Sequence, residues 1–235
     1  MGLQIRVSST CRVATGLATL LATSAVASAG SVYGHLELPP PPDRPPIATR
    51  GFLDRTENQL TPLRPVEVTP WLLVVLAPDG PLPAGASPGQ VNWELVGDSF
   101  ERPVIGAQVG AVVEVRNRST TPRTLVAAGQ PKLIGGGPLN PTGARDFKPA
   151  AAGVIQLGDA DAPHLHGTVV VLATPYFVSP DAAGKFDFGD VAEGSYKLRV
   201  FYRDHWVERT DDAVVVPTKG KLDVTAKIPA GYPGK

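Results

Sequence analysis

The chain has 235 residues, with 22 basic against 22 acidic side chains and a formal charge of zero. No Lys/Arg run breaks that balance, which argues against nucleic acid and anionic membrane surfaces as partners. Cys11 and Met1 are the only sulfur-bearing residues, so no disulfide framework is available and an apolar core must hold the fold.

Arg6 and Arg12 precede an apolar segment, Leu17 to Val26, and Ala27-Ser28-Ala29 then supplies the small residues a signal peptidase requires. The apolar segment falls short of the ~20 residues that span a bilayer, and no later stretch approaches that length. Residues 1–29 read as a removed signal peptide and Gly30 as the new N-terminus, which predicts a periplasmic or extracellular protein. Met1 and Cys11 both leave with that segment. Cys11 also precedes the apolar core, whereas the acylated cysteine of a lipoprotein would follow it.

Val32 to Leu38 alternates loosely and predicts a first strand carrying His35. Pro39 to Pro42 and Pro45-Pro46 follow in an extended, polyproline-like stretch, and residues 39–70 as a whole read as a Pro-rich arm that is ordered but irregular beyond residue 46. Trp71 to Leu76 and Thr168 to Leu172 are β-branched apolar runs of the kind buried on both faces of a sheet. Between them, Val91 to Leu95 alternates as a strand. Val104 to Val115 predicts a pair of strands around Gly106 and Gly110, and Arg123 to Ala127 and Val154 to Leu157 predict two more. Gly129 to Pro149 reads as a loop. Ala213 to Val216 and Leu222 to Ile228 close the chain. Short strands, 25 glycines, 25 prolines and no convincing long helix after residue 29 predict an all-β sandwich.

Residues 167–202 are the most strongly patterned part of the chain. Gly184 stands where a tight turn needs positive φ, Phe186 and Phe188 alternate with Lys185 and Asp187, and Val191 should tuck beneath a second turn. Tyr196, Leu198, Val200 and Tyr202 share one face, with Lys197 and Arg199 on the other. The spacing Asp-x-x-Gly-x-Phe-x-Phe-x-x-Val-x-x-Gly-x-Tyr-x-Leu-x-Val, from Asp181 to Val200, resembles the carboxypeptidase-regulatory-like (transthyretin-like) β-module. With VVVLATPYF in front, the region is similar to the C-terminal part of secreted cupredoxin-like proteins of the methylamine-utilisation type. The resemblance implies a Greek-key, cupredoxin-like β-sandwich over residues 30–172 and a second small β-module over 173–235, with room for the two to be interleaved.

It also implies where copper ligands would stand. Val109 to Asn117 looks like the family's strand leading to the first His ligand, with Asn117 matching the family's Asn. Counting onward puts that His position at Arg123. Anchoring the second motif on Val169 to Leu172 puts the Cys at Asp159, the second His at Ala162 and the Met at Leu165. All four ligands are absent, and a type 1 copper site needs a thiolate that residues 30–235 do not contain. The remaining candidate ligands are His164 and His166, two apart on a presumed strand and therefore on one face, with Asp159 and Asp161 nearby for zinc or copper(II). The competing reading makes them solvated histidines left where an ancestral site decayed. His35 and His205 read as isolated surface residues, and Asp204 and His205 as strand neighbours facing opposite ways.

No nucleophile elbow, zinc-protease helix, haem motif or phosphate-cradling loop is present. Gly135-Gly136-Gly137 runs into Pro138 rather than a helix, and Asp190 and Glu193 read as a solvated acidic pair. The sequence therefore predicts an exported, non-enzymatic binding or structural protein without cofactor. Its expected partner is another protein or an envelope component, met through the Pro-rich arm and exposed Trp71 and Trp206. The alternative is a copper- or zinc-binding protein using His164 and His166.

Overall fold

The computed structural model describes residues 29–38, 68–81, 87–208 and 212–229. The expected signal peptide, apart from Ala29, and most of the Pro-rich arm lie outside the described residues. Sixteen strands and one short 3-10 turn make up the described part. They form four sheets, and none of the described helices is long and apolar enough to cross a membrane.

β1 (Ala29–Glu37) opens the described chain, and the 3-10 turn Thr69–Trp71 leads into β2 (Leu72–Pro78). Eight strands follow before the patterned hairpin: β3 (Gln90–Val96), β4 (Ser99–Phe100), β5 (Val104–Gln108), β6 (Val112–Asn117), β7 (Leu125–Ala127), β8 (Ala144–Phe147), β9 (Gly153–Asp159) and β10 (His166–Leu172). The last six are β11 (Phe177–Val178), β12 (Lys185–Ala192), β13 (Gly194–Tyr202), β14 (His205–Trp206), β15 (Asp212–Val216) and β16 (Lys221–Lys227).

The strands β3 to β10 build one sandwich from two sheets, in the orders β4-β3-β6-β8 and β5-β10-β9-β7. Trp93, Val115, Leu157 and Val169 are among the residues packed between them, and Trp93 stacks on Phe100 with ring centroids 3.9 Å apart. The second sandwich pairs the sheet β12-β1-β16 with the sheet β11-β2-β13-β14, in which β15 also pairs β13. Its core includes Val32, Leu76, Phe186, Val191, Tyr196 and Leu198.

Of the two arrangements the sequence left open, successive or interleaved, the strand pairing is the interleaved one. β1 pairs β12 antiparallel and β16 parallel, and β2 lies between β11 and β13. Both therefore belong with the C-terminal strands rather than with residues 90–172. The reason is apolar: Val32 and Leu36 on β1 and Leu72, Val74 and Leu76 on β2 all bury in the second core.

The two sandwiches stack through a third core. Leu73, Val75 and Phe201 from the β2–β13 sheet meet Val104, Val170 and Leu172 from the β5–β10 sheet. The two inner sheets are thus covered on both faces, which is why Leu72–Leu76 and Thr168–Leu172 are buried at every residue. Gly106 permits the close approach, since a Cβ there would lie 2.4 Å from the Phe177 ring.

The hairpin follows its pattern closely. Gly184 sits at φ 80°, and Asp181 Oδ1 accepts the N–H groups of Ala183 and Lys185 at 2.9 and 2.8 Å. Phe186 is buried, whereas Phe188 is half-buried. A register shift opposite Val32/Tyr33 leaves Phe188 without a direct partner on β1. Phe201, on the face expected to be polar, is fully buried in the contact between the sandwiches.

Candidate functional site

A buried polar cluster closes one end of the first sandwich, and it contains the positions singled out for copper ligands. It begins at Asn117, the last residue of β6, where the alternation of that strand points the side chain inward. Its Nδ2 donates to the carbonyls of Thr121 at 2.9 Å and Leu139 at 2.8 Å. Its Oδ1 accepts the Ser119 N–H at 2.9 Å and the Ser119 hydroxyl at 2.6 Å. Three of these bonds tie the loop after β6 back onto itself, and the one to Leu139 fastens it to a distant segment. Leu139 in turn exchanges both backbone hydrogen bonds with Arg123, so the segment 117–123 is held on two sides.

Arg123 stands just before β7 and is only 8% exposed. Its Nη1 lies 3.5 Å from Asp159 Oδ2, and its Nη2 donates to the Gly97 carbonyl at 3.1 Å and to Asp98 Oδ1. Asp159, at the end of β9 and 5% exposed, also accepts the N–H of Thr124 at 3.3 Å and of Asp161 at 3.0 Å. The turn from Asp159 to Leu165 closes through Leu165 N–H to the Ala162 carbonyl at 2.9 Å and Asp159 N–H to the Leu165 carbonyl at 3.2 Å. Ala162 and Leu165 put their side chains into the first core.

The structure therefore brings all four positions to one end of the sandwich, as an ion pair and two apolar side chains. This donor set does not fit type 1 copper. A guanidinium repels a cation, a methyl and an isobutyl group offer no lone pair, and no sulfur is present among these residues. Asp159 is the one anionic donor, and Arg123 with two backbone N–H groups already occupies its carboxylate.

His164 and His166 are both exposed, on either side of buried Leu165. Only His166 belongs to β10, opposite Gly158, while His164 sits in the preceding turn. The strand spacing expected to align the two rings therefore does not apply to both. Among the described residues, no three His, Cys, Asp or Glu side chains are close enough to hold a metal ion together.

Two other expectations change. Asp204 and His205 do not face apart: His205 Nδ1 lies 2.7 Å from Asp204 Oδ1. Asp204 belongs to a tight turn entered through Arg203 at φ 56°, so strand alternation does not govern it. Trp71 and Trp206 are half-buried rather than exposed. Each is capped by an arginine, with Arg203 Cζ 5.3 Å from the Trp71 ring centroid and Arg199 Cζ 4.3 Å from that of Trp206. His35 lies on the exposed face of β1, and Asp190 and Glu193 are exposed.

Sequence reasoning missed Asp98, the second carboxylate on Arg123, because the β3–β4 turn carries no pattern that aims it there. It also missed a groove between the two sandwiches with a volume of about 400 Å³, lined from β2, β13, β14 and the segment after β10.

No family model matches the chain, and no curated protein matches it. Among solved structures, it is similar to a reduced amicyanin variant at 21% identity and a TM-score of 0.33, covering 38% of this chain and 95% of that one. A second reduced amicyanin variant gives 20% identity and a TM-score of 0.33, over 42% of this chain and 98% of that one. An oxidised variant of the same protein gives 18% identity and a TM-score of 0.33, with the same two coverages of 42% and 98%.

Proposed function

We propose that this is an exported, non-catalytic β-sandwich protein that binds or supports a partner in the periplasm or outside the cell. Its first sandwich is a cupredoxin-like lobe without a type 1 copper site, and its C-terminal strands are a carboxypeptidase-regulatory-like module. The observation that carries this reading is the Arg123–Asp159 pair. Where the sequence resemblance puts a copper ion's first His and its Cys, the chain supplies its own buried cation and the carboxylate that neutralises it. A metal ion bound to Asp159 would have to displace the guanidinium from that carboxylate and then stand beside its positive charge.

Copper(II) titration of the purified protein tests this reading. The expected result is no intense thiolate-to-copper charge-transfer band in the visible region. Weak nitrogen/oxygen coordination that disappears in His164→Ala/His166→Ala would instead support the metal-binding alternative. Stoichiometric copper that persists in that double variant would overturn both readings.

A further inference from the structure

We propose that the outer face of the β12-β1-β16 sheet carries a saccharide-binding site centred on Tyr33. Tyr33 is the one exposed aromatic side chain among the described residues. It stands on the middle strand, directly across from Asp187 on β12 and Asp223 on β16. A hollow of about 450 Å³ opens around it, lined also by Ser31, Asp181, Lys185 and Lys221. That volume falls within the ~300–1,000 Å³ of small-molecule sites.

The polar groups suit a neutral ligand with many hydroxyls. Lys185 and Lys221 share the hollow with Asp181 and Asp187, so charges of both signs surround the ring. Among the described residues, no ion pair joins any of the four. Asp181 and Asp187 each use Oδ1 to accept backbone N–H groups of their own turns, and their Oδ2 atoms accept nothing among the described hydrogen bonds. A hydroxyl both donates and accepts, so it can bridge an ammonium and a carboxylate that do not meet. An anion would be repelled by the three aspartates, and a cation by the two lysines. A pyranose ring also has an apolar face of C–H groups, and the electron-rich face of an aromatic ring is the surface such groups stack on.

The inference rests on the binding side of the reading above, and the two fail separately, because copper titration does not report on this face. The full chain would be titrated by calorimetry with the neutral sugars cellohexaose, chitohexaose and maltohexaose, and with the anionic hexagalacturonate. At least one neutral sugar should bind saturably. Its affinity should change less than about twofold with added salt, because no ligand charge is there to be screened. Hexagalacturonate should bind at least about tenfold more weakly. Tyr33→Ala should weaken binding of the neutral sugar by about tenfold or more, whereas Tyr33→Phe keeps the ring and should stay within about threefold. Lys185→Ala/Lys221→Ala removes both donors at exposed positions and should also cost about tenfold, so the test stands if Tyr33→Ala fails to fold. The proposal is overturned by absence of saturable binding for all three neutral sugars, by loss of affinity in salt, or by hexagalacturonate binding as tightly. Undiminished binding to either folded alanine variant, or Tyr33→Phe as weak as Tyr33→Ala, overturns it equally.

Discussion

The two sandwiches tie down their loops by different chemistry. The first uses charge: Arg123, Asp159 and Asp98 lock three loops together at one end. The second uses neutral phenols around Ala192. Tyr196 donates its hydroxyl to the Ala192 carbonyl at 2.9 Å, and the Tyr176 oxygen accepts the Ala192 N–H at 3.1 Å. The two rings meet edge to face with centroids 5.7 Å apart. A buried charge is costlier to strand than a phenol, so the first sandwich should be brittle where the second is more tolerant. The second should draw its stability from apolar burial in the hairpin instead.

The largest expected effect is in that hairpin. Phe186 packs in the second core beside Phe188, with ring centroids 5.6 Å apart, and Phe186→Ala should cost about 3–5 kcal/mol. Denaturant midpoints measure it, and a loss below about 1 kcal/mol would place the second sandwich's stability elsewhere.

Brittleness of the first sandwich comes next. Arg123→Met leaves the Asp159 carboxylate, 1% exposed in its side chain, without a buried counterion and should cost about 3 kcal/mol. Arg123→Met/Asp159→Asn removes both charges while keeping an acceptor for the Thr124 and Asp161 N–H groups. It should recover a large part of that loss. A double variant as unstable as the sum of the two single ones would show that the pair is not coupled.

The smallest effect appears at alkaline pH. Burial, and then neighbouring Tyr176, push Tyr196 up to about 12, against about 10 in the unfolded chain. The folded protein therefore holds this proton more tightly. The resulting stability is whole below about pH 10 and is lost as the pH rises through about 12. Burial raises Tyr202 as well, with Arg203 opposing, so Tyr196→Phe should flatten the alkaline loss without abolishing it. An unchanged slope in unfolding titrations across that window would remove the phenol from the comparison.

Much of the fold was legible because burial repeats at short range along the chain. Leu72–Leu76 and Thr168–Leu172 read as strands covered on both faces, and they are the central strands of the two inner sheets. The alternation from Phe186 to Tyr202 and the turn glycine at 184 were equally local signals. β8 was not legible, because Ala144–Phe147 buries only Phe147 and lies within a stretch rich in Gly and Pro. Its pairing with β6 supplies the hydrogen bonds its own composition does not predict.

For the polar cluster, residue types were readable and partners were not. The sequence by itself determined that Arg123, Asp159, Ala162 and Leu165 offer neither thiolate nor imidazole, since that is a matter of chemical identity. It also determined the β class, through strand periodicity and turn residues that act over a few positions. Only the tertiary structure decided that Arg123 and Asp159 meet across 36 residues of sequence separation, that β1 and β2 join the C-terminal strands, and that Phe201 is buried on the face expected to be polar. Those outcomes depend on which sheet covers which, and that is set by apolar surfaces far apart in sequence closing on one another, not by any local pattern.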